Sequence, residues 1–202
     1  MAHKLAVLLA LPSLLTTPAI GWGHQAESTT PPSVTTIFHK PFGGPFSLVD
    51  QSGRSVSDRD FRGTPMLIYF GYTNCPDKCP LDVQVISAVI DRLDHRGITV
   101  APIFITTDPM RDTSARLKQF LSAFHPRFVG LTGSADTIGK LAAAYGAGGD
   151  RINETTPDTY DVLHPSFAYL MGRKGEFLRT IHLEDEPDAI AEMIVHSVGG
   201  AG

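Results

Sequence analysis

The sequence predicts a single α/β domain with a mixed central sheet and helices on both faces, and three observations carry that reading. Strand and helix signals alternate in the order β-α-β-α-β-α-β-β-α from residue 45 onward. Residues 66–70 (MLIYF) form an unbroken apolar run, as in a central strand covered on both sides. Three later stretches repeat apolar residues at helical spacing.

Each element has its own local reason. Residues 45–53 read as a strand ending in a Gly53 turn, with a hairpin return at Ser55-Val56. From Pro80, a helix with Leu81, Val85, Ala88 or Val89, and Leu93 on its apolar side is expected to end at Gly97. Residues 98–105 form a second strand, in which Pro102 suggests a bulge or an edge position. Asp112 or Thr113 can cap the next helix, whose apolar face is Ala115, Leu117, Phe120, Leu121 and Phe124. A short strand follows at residues 128–131, then a helix capped by Ser134 and carrying Ile138, Leu141, Ala142 and Tyr145. Residues 146–156 are polar and Gly-rich and read as a loop. Two strands at 160–163 and 166–171, a Gly172–Gly175 turn, a strand at 176–181 and a helix beyond Pro187 complete the domain.

Ahead of the domain, Lys4 and the apolar stretch at residues 5–15 fit residues 1–23 as a secretory signal or an N-terminal membrane anchor. Small residues at Ala19, Gly21 and Gly23 offer cleavage positions without a clean A-x-A site. Residues 24–40, rich in Thr, Pro and Ser, read as a flexible linker, leaving residues 41–202 as one domain large enough for a real core. The expected location is therefore exported, periplasmic or anchored in the inner membrane facing the periplasm. The 202-residue chain carries a net charge of −4 and no basic block, which argues against nucleic acid as a partner.

Both cysteines of the chain fall in one decapeptide, residues 71–80 (GYTNCPDKCP), between the apolar strand and the helix. Residues four apart on a helix share a face, with Cβ atoms roughly 5–6 Å apart. Cys75 and Cys79 could therefore hold one metal ion, or pair as a disulfide if the first turn deforms. The helix N-terminus favours the thiolate, so both thiols are expected to be reactive. A plain structural disulfide would close too small a ring to stabilise much. A thioredoxin-type dithiol would be spaced C-x-x-C rather than C-x-x-x-C. The thiol pair alone leaves metal binding and redox exchange both open.

His164 tips the balance toward metal. Pro165 biases it to an extended backbone, and two thiolates with one imidazole form a soft set suited to Cu(I), or to Cu(II) with a fourth ligand. Zinc would ordinarily bring a second Cys or His close in sequence.

These residues resemble the SCO (SenC) family of thioredoxin-fold copper-handling proteins over about residues 42–198. Residues 71–80 are similar to its G-[FY]-T-x-C-P-D-x-C-P motif. Residues 107–113 (TDPMRDT) are similar to its D-P-x-R-D-T, and residues 128–133 (FVGLTG) and 45–50 (PFSLVD) match in order. The resemblance implies a thioredoxin-like domain in which Cys75, Cys79 and His164 bind copper and the copper-free form can oxidise to a Cys75–Cys79 disulfide. The family places an aspartate before this histidine, as in V-D-H-S; here Leu163 and Pro165 flank it. A nearby carboxylate could orient the imidazole, and Leu163 cannot.

The expected function is a metallochaperone that passes copper to the copper-bearing subunit of cytochrome c oxidase or to another copper protein. Asp108 is expected to help dock the acceptor, and Asp112 to cap a helix. The alternative is a thiol–disulfide oxidoreductase or redox sensor acting through Cys75 and Cys79, with a thioredoxin-like reductant as a further partner. Peroxidase chemistry lacks its P-x-x-x-[ST]-x-x-C context. His24 is a candidate N-terminal copper ligand only if cleavage follows Gly23. His39, His95, His125, His182 and His196 read as surface or capping residues.

Overall fold

A computed structural model describes residues 42–156 and 159–200. The signal or anchor at 1–23, the linker at 24–40, His24 and His39 lie outside the described residues. Among the described residues no helix is long and apolar enough to cross a membrane.

The sheet is built around β3 (Met66–Gly71), whose six residues are all buried. It pairs in parallel with β4 (Ala101–Thr106), and β4 with β5 (Val129–Thr132). The returns are made by α1 (Lys78–His95) and α2 (Ser114–Leu121). On one side β1 (Ser47–Asp50) adds antiparallel to β5, and β2 (Ser55–Ser57) to β1. On the other, β8 (Phe167–Met171) runs antiparallel to β3, and β9 (Phe177–His182) to β8. The seven-stranded order is β2-β1-β5-β4-β3-β8-β9, a mixed sheet as expected.

Both faces are covered. Alternate residues of β3 point to opposite sides: Leu67 and Tyr69 join the core under α1, α2 and α4 (Pro187–Gly199), while Met66, Ile68 and Phe70 pack with α3 (Ala135–Tyr145). Ser134 caps α3 by accepting from Thr137 N, and Gly146 ends it in the left-handed region.

Several expectations change. The buried stripe of α1 is Cys79, Val83, Ile86, Val89, Ile90 and Leu93, whereas Leu81 is 59 % exposed. Pro102 lies in an interior strand without a bulge. Ala101 N donates to Pro65 O on the β3 side. The next backbone nitrogen therefore faces the other way, where β5 begins only opposite Ile103. The supposed loop at 146–156 contains β6 (Arg151–Thr156), which pairs with β7 (Thr159–Val162) in a two-stranded hairpin separate from the main sheet.

Candidate metal centre

The parallel strands bring the chemistry to one end. The cysteine loop leaves the carboxyl end of β3, and the loop at residues 107–113 leaves that of its neighbour β4, the usual place for function in such sheets. Because β8 runs antiparallel to β3, with Met66 opposite Met171, its first residues lie beside the end of β3. His164, three residues before β8, arrives at the same end.

The cysteine loop is fixed from beneath. Thr107 N donates to Gly71 O, tying the ends of β3 and β4 together. Asp112, fully buried, accepts from Thr73 N at 3.0 Å, Thr73 Oγ1 at 2.6 Å and Thr106 Oγ1 at 2.7 Å. Burial raises its pKa, against the pull of these Thr73 and Thr106 bonds. The helix cap expected of Asp112 falls instead to Thr113, whose hydroxyl accepts from Arg116 N. Arg116 also donates to Thr73 Oγ1 and Asn74 Oδ1. A Cβ on Gly71 would lie 3.0 Å from Cys79 Sγ and 2.7 Å from Tyr69 Cε1, so only glycine lets the sulfur come this close to the strand.

Cys75 precedes α1 and Cys79 is its second residue, so the pair is gathered by a loop wrapping onto the first helical turn. Both are free thiols, and Cys79 N donates to Cys75 Sγ at 3.3 Å. Cys79 is fully buried. Burial pushes its thiol up, above the usual cysteine range, although the backbone N–H of Tyr72 works in the opposite direction. Burial of Cys79 thus works against the thiolate that a helix N-terminus would favour.

His164 closes the cluster. Its Nε2 lies 3.2 Å from Cys79 Sγ, while Nδ1 meets Pro165 O at 3.1 Å. That carbonyl can only accept, so Nδ1 carries the hydrogen and the Nε2 lone pair faces the sulfurs. Burial lowers the imidazole pKa, which favours the neutral, ligating form. The donor atoms of Cys75, Cys79 and His164 all lie within 4.8 Å of one another. With metal–sulfur and metal–nitrogen bonds of about 2.0–2.3 Å, donors on opposite sides of one ion are about 4.4 Å apart, so movements of tenths of an ångström would close the set. Two thiolates and one imidazole match a soft cation, copper above all.

Two tyrosines flank the imidazole edge-on, Tyr69 at 5.9 Å and Tyr72 at 5.8 Å between ring centroids. The Tyr69 hydroxyl donates to Asp82, which is buried and also paired with Lys78 at 3.2 Å. Burial raises the Asp82 pKa, opposed by the Tyr69 and Lys78 contacts. The Tyr72 hydroxyl is pushed up to about 12 by burial, with Cys75 and Asp161 adding to the shift, so it stays a donor.

Asp108 is 3 % exposed, and its carboxylate is engaged by the Tyr160 hydroxyl at 2.8 Å and by the Arg111 guanidinium. A carboxylate so occupied is not displayed to an acceptor; it fastens the β6–β7 hairpin to the loop after β4. Arg111 reinforces this by donating to Tyr160 O and stacking 3.6 Å over its ring. His125, read as a surface or capping residue, has a largely buried ring that accepts from Arg127 N and lies near Asp91 and Asp94.

Sequence reasoning missed Tyr69, Tyr72, Asp82, Tyr160, Arg111 and Asp161. One signal was available: Asp82 follows Cys79 by three, which puts a carboxylate on the buried stripe of α1.

A thioredoxin-like sheet that gathers two thiols and an imidazole at one end is a fold with a site suited to a soft metal, copper above all. The chain belongs to the SCO1/SenC family, whose model matches residues 34–199. It is 41 % identical over 157 residues to the protein SenC of Rhodobacter capsulatus, covering 78 % of this chain and 69 % of that one. The structure of Bradyrhizobium japonicum ScoI with copper bound superposes with a TM-score of 0.72 at 38 % identity, over 78 % of this chain and 99 % of that one. BsSco, described with a disulfide switch and as a member of a family of cytochrome c oxidase assembly proteins, matches with a TM-score of 0.63. Its identity is 26 %, over 78 % of this chain and 95 % of its own.

Proposed function

We propose that the protein is an exported copper metallochaperone. It binds copper through Cys75, Cys79 and His164 and delivers it to the copper-bearing subunit of a cytochrome c oxidase. The observation that carries the reading is the convergence of these three soft donors, within 4.8 Å, at the open end of the sheet. The copper-bound relative ScoI and the oxidase-assembly description of BsSco support it.

Copper is cargo here. Loading exchanges the thiol protons of Cys75 and Cys79 for the metal, while the neutral His164 offers Nε2 without losing a proton. Delivery runs by ligand exchange, with acceptor thiolates replacing the donor thiolates in turn. Cys75, at 9 % exposure against none for Cys79, is the sulfur an acceptor reaches first. A Cys75–Cys79 disulfide blocks loading until it is reduced, so the redox state of the pair gates the metal. In this reading the apolar stretch at residues 5–15 is an export signal or anchor, and the copper chemistry faces the periplasm.

A second reading rests on the proximity of the two free thiols: a thiol–disulfide oxidoreductase that keeps the acceptor's cysteines reduced. Mixing copper-loaded protein with a copper-free, reduced soluble domain of an oxidase copper subunit separates the two. The chaperone reading predicts stoichiometric copper movement, which fails to occur from His164→Ala. No transfer, together with reduction of the oxidised, disulfide form of that domain by the copper-free dithiol, would replace it with the redox reading.

A further inference from the structure

The histidine arm and the cysteine loop are joined by a contact that has no counterpart in the expected motif. Leu163 stands where the family motif sets a carboxylate, and is 50 % exposed. A carboxylate does stand two residues earlier, at Asp161, on the same side of an extended chain. Asp161 Oδ1 accepts from the Tyr72 hydroxyl at 3.3 Å and Oδ2 from Asn153 Nδ2 at 2.9 Å, so each of its oxygens has a donor. Asn153 itself sits at φ 51, at the irregularity in the β6–β7 pairing that turns its amide toward Asp161.

Tyr72 is 3 % exposed, and its ring meets the His164 imidazole at 76°, edge to face. Tyr69 meets the same imidazole at 80° and is tied to Asp82 in α1. The imidazole thus packs against two rings whose hydroxyls are each tied to a carboxylate. The Tyr69 anchor lies in the core. The Tyr72 anchor lies on β7, three residues before His164, so the chain from Asp161 through Tyr72 to His164 closes a circuit between arm and loop.

We propose that Tyr72 and Asp161 are positioning residues for the metal centre. Asp161 fixes Tyr72 through its hydroxyl, and the Tyr72 ring sets the imidazole plane that aims Nε2 at the cysteine sulfurs. The pair takes over the orienting task of the absent carboxylate at 163, acting by ring packing rather than through a ring nitrogen, since Nδ1 is already bonded to Pro165 O. The proposal rests on the reading of Cys75, Cys79 and His164 as copper ligands.

The test loads wild type, Y72F, D161A, D161N, the Y72F/D161A double variant and H164A with Cu(II). It records the sulfur-to-copper charge-transfer band, the nitrogen coupling in EPR spectra and copper retention against a chelator. Y72F and D161A are each expected to perturb the nitrogen coupling and lower retention about 10-fold. The double variant should be no worse than either single one, because both break the same link. D161N keeps an amide oxygen that accepts from Tyr72 and is expected to match wild type. In the copper-free protein, Y72F should shift the His164 ring resonances while the melting temperature stays near that of wild type. Wild-type spectra in Y72F or D161A, additive losses in the double variant, or a D161N spectrum like that of D161A would each overturn the proposal. Failure of the copper reading itself looks different: wild type takes up no copper, or H164A is indistinguishable from it.

Discussion

The two halves of the metal centre are built in opposite ways. The cysteine loop grows out of the most buried strand of the sheet and is cradled by a fully buried Asp112 that holds Thr73 and Thr106. The histidine comes from an arm: the short segment between β7 and β8, behind the β6–β7 hairpin, whose first strand is almost wholly exposed and which belongs to no larger sheet. That arm is fastened by side chains: Tyr160 on Asp108, Arg111 on the Tyr160 carbonyl, and Tyr72 on Asp161. The sulfur half therefore shares the stability of the domain, while the imidazole half can loosen on its own. Under the proposed chaperone reading, such a division would let the site keep a metal and also release it.

Four substitutions or conditions probe the division. Asp112→Ala should have the largest effect, since it leaves three buried donors without their acceptor. It is expected to cost about 2–3 kcal/mol in denaturant unfolding, with a melting temperature lower by about 5–10 °C. A change below measurement error would mean that the cradle is not what fixes the loop. Gly71→Ala places a methyl against Cys79 Sγ and Tyr69 and should cost about 2 kcal/mol while displacing the sulfur, so copper uptake drops with stability. Unaltered uptake would show that the close approach is dispensable.

Tyr160→Phe should act on the arm alone. The lost bond to Asp108 is worth about 1 kcal/mol, and faster amide exchange is expected in β6 and β7 but not in β3. Cu(I) held by the thiolates should survive. Uniformly faster exchange across the sheet would contradict the separation of the two halves. The smallest effect concerns pH. Burial depresses the His164 pKa below 6.5, so the unfolded chain takes up that proton first as pH falls. The stability contributed by the neutral imidazole is present above pH 6.5 and is lost on acidification toward the folded pKa, at no more than about 1.4 kcal/mol per pH unit. In His164→Gln this component of the pH profile should vanish; identical profiles would place the acid sensitivity elsewhere.

The same contrast explains what could be read from the amino acids. The apolar run before Cys75 announced a central strand, and the helical pattern after Cys79 announced α1, so the cysteine half was legible. Its phase was not: Leu81 looked like core, but the stripe starts from Cys79 itself. Strand β6 was invisible because its residues face solvent on nearly every side and show no alternation. His164 was found through Pro165 and the family motif, yet nothing local could reveal the Tyr72–Asp161 bond between residues 89 apart. Asp112 and Thr113 were equally good caps on paper, and only the long-range bonds to Thr73 decide that Thr113 caps while Asp112 supports the loop.

The central claim is that both halves meet on one copper ion, and anaerobic titration of the reduced protein with copper tests it most directly, wild type beside His164→Ala. The account predicts one copper per chain, with thiolate-to-Cu(II) bands and nitrogen coupling that disappear in the variant. No binding below the micromolar range, or a copper complex indifferent to His164, would contradict it.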